Sequence, residues 1–128
     1  IRDEMVVDTD SLLEKHMGKA KDIVQIFEDG RLSITSPYNR LEGQERMLVY
    51  LIGRKYAYEA ELVDTPTLSN QYFYDCLDRG ESTIRNDFRS LVDDGLVTVD
   101  DETSDRELNV ERLPDALDRI KTEMDDDS

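Results

Sequence analysis

Ser82, Thr83, Arg85, Asn86 and Arg89 are the side chains in this sequence whose types and spacing best suit work on a polar ligand. All five lie in one stretch, ESTIRNDFRSLVDDG, whose apolar residues Ile84, Phe88, Leu91 and Val92 recur at i, i+4, i+7 and i+8. That spacing gathers the apolar groups on one side of a helix over residues 81–94 and turns the polar set to the other. On such a face an Arg guanidinium can fork onto the O6 and N7 of guanine, and an Asn amide can pair with the N6 and N7 of adenine. Ser and Thr hydroxyls, with the free amides of a helix N-terminus, can hold phosphates. The competing reading is an ordinary solvated face, with Arg85 and Arg89 paired to nearby acids such as Asp87 or Asp93.

Other chemistries have less to draw on. His16 is the only histidine, which excludes a histidine-based triad or a multi-histidine metal site within one chain. Cys76 is the only cysteine, so there is no internal disulfide and no cysteine cluster for structural zinc. Its helical position predicts a small hydrophobe on the inward side. The acid pairs at 93/94 and 100/101 lack calcium-loop spacing. There is no phosphate loop and no dinucleotide fingerprint. Tyr50, Tyr56, Tyr58, Tyr72 and Tyr74 fit core and rim better than a ligand cage. No enzyme, metal or cofactor is expected.

The elements that must position the 81–94 helix follow from pattern. Thr9 or Asp10 can cap a short helix carrying Leu12, Leu13 and His16 and ending near Gly18. Two β-prone runs, Ile23–Phe27 and Leu32–Thr35, flank Glu28-Asp29-Gly30-Arg31, and Asp-Gly between such runs predicts a hairpin over 22–36. Leu48, Leu51, Ile52 and Tyr56 share one face of a helix over 41–60 apolar enough to be central to a core. Pro66 marks a linker. Ser69 is an N-cap, and Leu68 can staple to Phe73, in a helix that turns Tyr72, Phe73, Cys76 and Leu77 inward. Asp78-Arg79-Gly80 ends it. Gly95 supplies a left-handed stop after the next helix. Strands at Leu96–Val99 and Glu107–Val110 bracket a polar loop, and Pro114 opens a last helix with Leu113, Leu117, Ile120 and Met124 in a single stripe.

The chain of 128 residues carries 31 acids against 16 bases, a net charge of −15, with Asp in excess of Glu and Arg in excess of Lys. Residues 100–128 alone hold twelve acids and four bases, ending in Asp125-Asp126-Asp127. Such an excess ordinarily argues against a nucleic-acid partner. The composition nevertheless resembles proteins of haloarchaea, in which surface carboxylates hold water and cations and oppose aggregation. At about 1 M salt the Debye length is only about 3 Å, so repulsion from DNA is short-ranged. The longest apolar run, Met47 to Ile52, falls far short of the roughly 18 residues of a membrane helix. The opening residues are acidic and give no secretory signal, which places the chain in the cytoplasm; Ile1 in place of Met leaves room for a preceding piece.

From residue 41 the order is helix, helix, tight turn, helix, strand, polar loop, strand. In that setting STIRNDFRSLVDDGLVTV resembles the recognition helix, glycine stop and first wing strand of winged helix-turn-helix regulators of archaea and bacteria. The resemblance covers residues 41 to about 112 and is carried mainly by its Ser-Thr-Ile-Arg opening and Asp-Gly-Leu-Val exit. It implies an α+β fold in three parts: a helix and β-hairpin extension (1–40), the winged-helix domain (41–112), and a C-terminal helix with an acidic tail (113–128). It also implies a transcriptional regulator that binds double-stranded DNA through Ser82, Thr83, Arg85, Asn86 and Arg89, with Arg79 and Arg106 in support. The wing argues the other way, since Asp100, Asp101, Glu102, Asp105 and Glu107 surround Arg106. A winged-helix module that binds protein instead of DNA is the alternative. The stripe of the last helix either packs on its own domain or pairs with a second copy, and the edge of the 22–36 hairpin is another pairing surface.

Overall fold

A computed structural model describes residues 9–39, 41, 43–77, 80–103 and 105–126. Five helices and two antiparallel two-stranded hairpins make up this part of the chain. In order they are α1 (Thr9–Ile23), β1 (Val24–Ile26), β2 (Leu32–Ile34), α2 (Gly43–Glu59), α3 (Asn70–Cys76), α4 (Glu81–Asp93), β3 (Val97–Val99), β4 (Arg106–Leu108) and α5 (Leu113–Asp126). Short 3-10 turns at Ser36–Tyr38 and Val110–Arg112 lead into α2 and α5.

The helix α2 is the hub. Every residue from Met47 to Gly53 is buried, so it is enclosed on all sides and not along a single stripe. Around it lie α1, both strands of the first hairpin, α4, β4 and α5. This follows from the sequence run MLVYLIG, which offers no polar side to water. Tyr56 ties α1 to this hub: its hydroxyl donates to the Leu13 carbonyl at 2.6 Å, and burial pushes its pKa up to about 12.

The helix α1 runs five residues beyond the expected stop at Gly18. Gly18 is exposed and nothing packs near it, so it costs only its propensity penalty of about 1 kcal/mol. Ala20 and Ile23, both nearly fully buried, continue the stripe begun by Leu13 and offset that cost. The first hairpin forms where expected, with Val24 opposite Ile34 and Ile26 opposite Leu32. Gly30 takes φ +90° in its turn.

The stripe on α5 is used within the chain. Leu113, Ala116, Leu117 and Ile120 are buried and Met124 half-buried, and the helix packs on α1 and α2. That stripe is therefore occupied within the single chain. One continuous core runs from Leu13 to Ile120, crossing the expected boundaries after residues 40 and 112. The helix and hairpin of the N-terminal part are thus walls of the same core.

Two inward assignments are corrected. Cys76 is exposed, because α3 has only seven residues and turns Phe73, not Cys76, into the core. Val92 is also exposed, at 36%, because the buried edge of α4 is the narrower set Ile84, Phe88 and Leu91. Among the described residues no helix is long and apolar enough to cross a membrane.

No charged side chain belongs to the buried set among the described residues, so the acid excess sits on the surface and repels itself. Thermal melts followed by circular dichroism should show the midpoint rising as KCl goes from roughly 0.1 M to roughly 1 M, as the Debye length shrinks from about 10 Å to about 3 Å. A midpoint independent of salt would contradict this account of the charge.

Candidate nucleic-acid interface

The exposed face of α4 is positioned from both ends. At its start, Ser69 caps α3 by accepting a hydrogen bond from the Tyr72 amide at 3.3 Å, as its residue type predicts. Gly80 is the N-cap of α4, its carbonyl accepting from the Ile84 amide. At its end, Gly95 adopts φ +81°. The Gly95 amide donates to Val92 and the Leu96 amide to Leu91, which closes the helix and sends the chain into β3. Arg119 of α5 secures this end by pairing with Asp94 at 2.9 Å and Glu45 at 3.5 Å, and by donating to the Gln44 side chain.

The rotation of α4 is set by Phe88. Its ring meets Phe73 edge to face, with centroids 4.8 Å apart and planes at 81°. Ile84, Phe88 and Leu91 are essentially without exposure. The opposite side presents Ser82, Thr83, Arg85, Asn86 and Arg89, and all five are exposed. The structure therefore brings together on one face the five residues singled out from sequence. Arg79 lies outside the described residues.

The electrostatic setting of the two arginines is unlike that of most other described arginines. Arg31 pairs with Asp29, Lys55 with Glu107, Arg112 with Asp115, and Arg119 with Asp94 and Glu45. Arg46 donates to the Asn39 and Leu41 carbonyls, and Arg54 to the Thr67 carbonyl. Among the described residues, Arg85 and Arg89 hold neither an acid nor a carbonyl; Arg85 reaches only the Ser82 hydroxyl, at 3.5 Å. The expected competitor Asp87 instead faces Gln44, whose amide donates to it at 3.4 Å.

Arg106, expected at the end of the polar loop as the wing's cation, is drawn into the strand instead. It sits on β4, half-buried, with its guanidinium 4.8 Å from the centre of the Phe88 ring. Burial presses its pKa down from the usual arginine value. Its backbone pairs with Leu68 in both directions at 2.8 Å. This bridge, which gives the hairpin a third extended neighbour, was missed from sequence. Pro66 disfavours helix in the residue before it and was the available signal.

A groove of about 260 Å³ lies between α4 and the second hairpin, lined by Arg85, Phe88, Arg89, Val92, Val99 and Arg106. Asp93 stands on its wall as the opposing charge. Three guanidiniums and two exposed valines therefore converge on one cleft, suited to an anionic ligand with apolar parts. The hairpin tip beyond it is acidic and closed on itself: the Asp100 carboxylate accepts from the Glu102 and Thr103 amides at 2.8 and 3.2 Å. Among the described residues no cluster of His, Cys, Asp or Glu is arranged to hold a metal ion.

Compared with known proteins, the chain matches no protein-family model, no curated protein and no solved structure.

The left-handed exit at Gly95 controls how α4 meets the hairpin. A Cβ there would lie 2.9 Å from the Arg112 guanidinium in a backbone region L side chains avoid. Gly95→Ala should therefore cost about 1–2 kcal/mol, measured by urea unfolding. A neutral or stabilising effect would show that this exit is not strained.

Proposed function

We propose that residues 43–112 form a winged helix-turn-helix domain and that α4 docks in the major groove of duplex DNA. The chain acts as a transcriptional regulator by occupying its site, without chemistry of its own. The observation that carries this reading is the pair Arg85 and Arg89. In a chain with 31 acids and 16 bases, these two cations are exposed, held by no acid among the described residues, and aligned with Asn86, Thr83 and Ser82 on one helix face. An exposed ion pair contributes little to stability, so leaving these two unpaired costs the fold little. It leaves both guanidiniums available for base edges or phosphates.

The element order from α2 to β4 and the Leu68–Arg106 bridge support the fold reading. A three-element helical set is closed by a hairpin whose inner edge takes up the extended segment between α2 and α3. Net negative charge is compatible with DNA in the molar salt that the composition suggests. There the counterion-release gain nearly vanishes, and a few aimed side chains matter more than a broad basic surface.

One feature favours a second reading, a winged-helix module that binds protein. The hairpin tip presents Asp100, Asp101 and Glu102, all exposed, where a phosphate backbone would be repelled.

Binding in molar KCl to duplexes selected from a random library separates the two. Arg85→Ala or Asn86→Ala should weaken specific binding by about tenfold or more, within the roughly 1–3 kcal/mol of a bidentate base contact, with an unchanged circular dichroism spectrum. Selection of no duplex, or unaltered affinity in both variants, would sink the DNA reading and leave the protein-binding one.

A further inference from the structure

A second cleft lies away from the α4 face, where four segments meet. Arg31 and Leu32 from the β1–β2 turn, Arg54 from α2, Val63 and Leu68 from the linker, and Tyr72 from α3 line a depression of about 330 Å³. Its walls are fixed. The turn seats directly against the linker, so that a Cβ on Gly30 would come within 2.6 Å of Val63. Leu68 is held by its two backbone bonds to Arg106, and Tyr72 meets Phe73 and Tyr50 edge to face, with centroids at 5.4 and 5.8 Å.

The charges in this cleft do not cancel. Asp29, also on its wall, is neutralised by Arg31, whose Nε and backbone amide both donate to its carboxylate at 2.7 and 3.0 Å. The Arg54 guanidinium donates only to neutral oxygens, Nε to the Thr67 carbonyl at 3.1 Å and Nη2 to the Thr65 hydroxyl at 3.2 Å. Its Nη1 has no partner among the described residues. Neither has the Tyr72 hydroxyl, which burial keeps protonated up to about pH 12 and whose ionisation feels the charge of Arg54. Beside the Asp29–Arg31 pair, Arg54 and Tyr72 thus line, with Leu32, Val63 and Leu68, a space at the small end of the usual size of a ligand site.

We propose that this cleft binds a small organic monocarboxylate with a compact apolar body, its carboxylate on Arg54 and Tyr72 and its apolar part on the three aliphatic side chains. A neutral ligand would leave the Arg54 charge unmatched, and a polyanion would meet Asp29. Resting on the DNA reading, the cleft is also placed to act as an effector site. Leu68 connects it through Arg106 to Phe88, which sets the rotation of α4.

Benzoate and its neutral analogue benzamide test this on the whole wild-type chain, by amide chemical shifts in the salt that keeps it folded, with no DNA present. Benzoate should saturate and perturb residues 29–32, 63–68 and 72, with benzamide weaker by about tenfold or more, as a lost charge-assisted pair implies. Arg54→Gln should weaken benzoate to the same degree. Tyr72→Phe, which keeps the ring and the packing, should weaken it a few-fold. Equal binding of the two probes, no saturation, or no perturbation of residues 29–32, 63–68 and 72 would overturn the assignment. Because the readout is the protein alone, its failure would leave the DNA reading standing, and loss of the DNA reading would leave the site standing.

Discussion

The edge-to-face contact between Phe73 and Phe88 fixes the rotation of α4, and the rest of the candidate interface depends on it. A helix with one apolar edge can roll by tens of degrees unless something large and shaped holds it. Phe88 is held on one side by Phe73 at 4.8 Å and stacked by the Arg106 guanidinium at 4.8 Å. These contacts join α3, α4 and β4 around a single ring. With that ring in place, Ile84 and Leu91 must point inward, and Ser82, Thr83, Arg85, Asn86 and Arg89 must point out. Turning the helix by one residue would bury an arginine without a partner, which is strongly unfavourable.

Charge is organised around this arrangement. Several bases in the described part of the chain are committed to an acid or a carbonyl on another segment. Lys55 joins α2 to β4 through Glu107, and Arg119 joins α5 to the end of α4 through Asp94. Among the described residues Arg85 and Arg89 hold neither an acid nor a carbonyl, and on the proposed reading they are left for an external ligand. In dilute salt the surrounding carboxylates would mask them. In molar salt, where fields decay within a few ångströms, contact geometry decides.

Much of this was legible in the sequence because periodicity and punctuation agreed. Ile84, Phe88 and Leu91 of the α4 stripe, the Asp-Gly turn, the Ser69 cap and the Gly95 stop each rest on a local rule, and each appears at the expected residue. What was not legible depended on partners distant in sequence. Gly18 reads as a stop, yet the burial of Ala20 and Ile23 carries α1 past it. Val92 reads as core, but the narrow contact with the hairpin leaves it on the wall of a groove. Cys76 is at an inward spacing that a seven-residue helix does not keep. Arg106 reads as a loop cation of the wing, and only the pairing of β4 with Leu68 shows it held against Phe88. The all-round burial of α2 was suggested by its apolar run, but the elements that cover it could not be inferred from that run.

On the proposed reading, the outward side of α4 is the surface that meets duplex DNA. Mapping amide chemical shifts on addition of a library-selected duplex in molar KCl addresses it most directly. The account requires the largest changes between Glu81 and Arg89 with smaller ones at Arg106, and little change in the first hairpin. Changes confined to the acidic tip at Asp100–Glu102, or an α4 that does not respond to bound DNA, would contradict it.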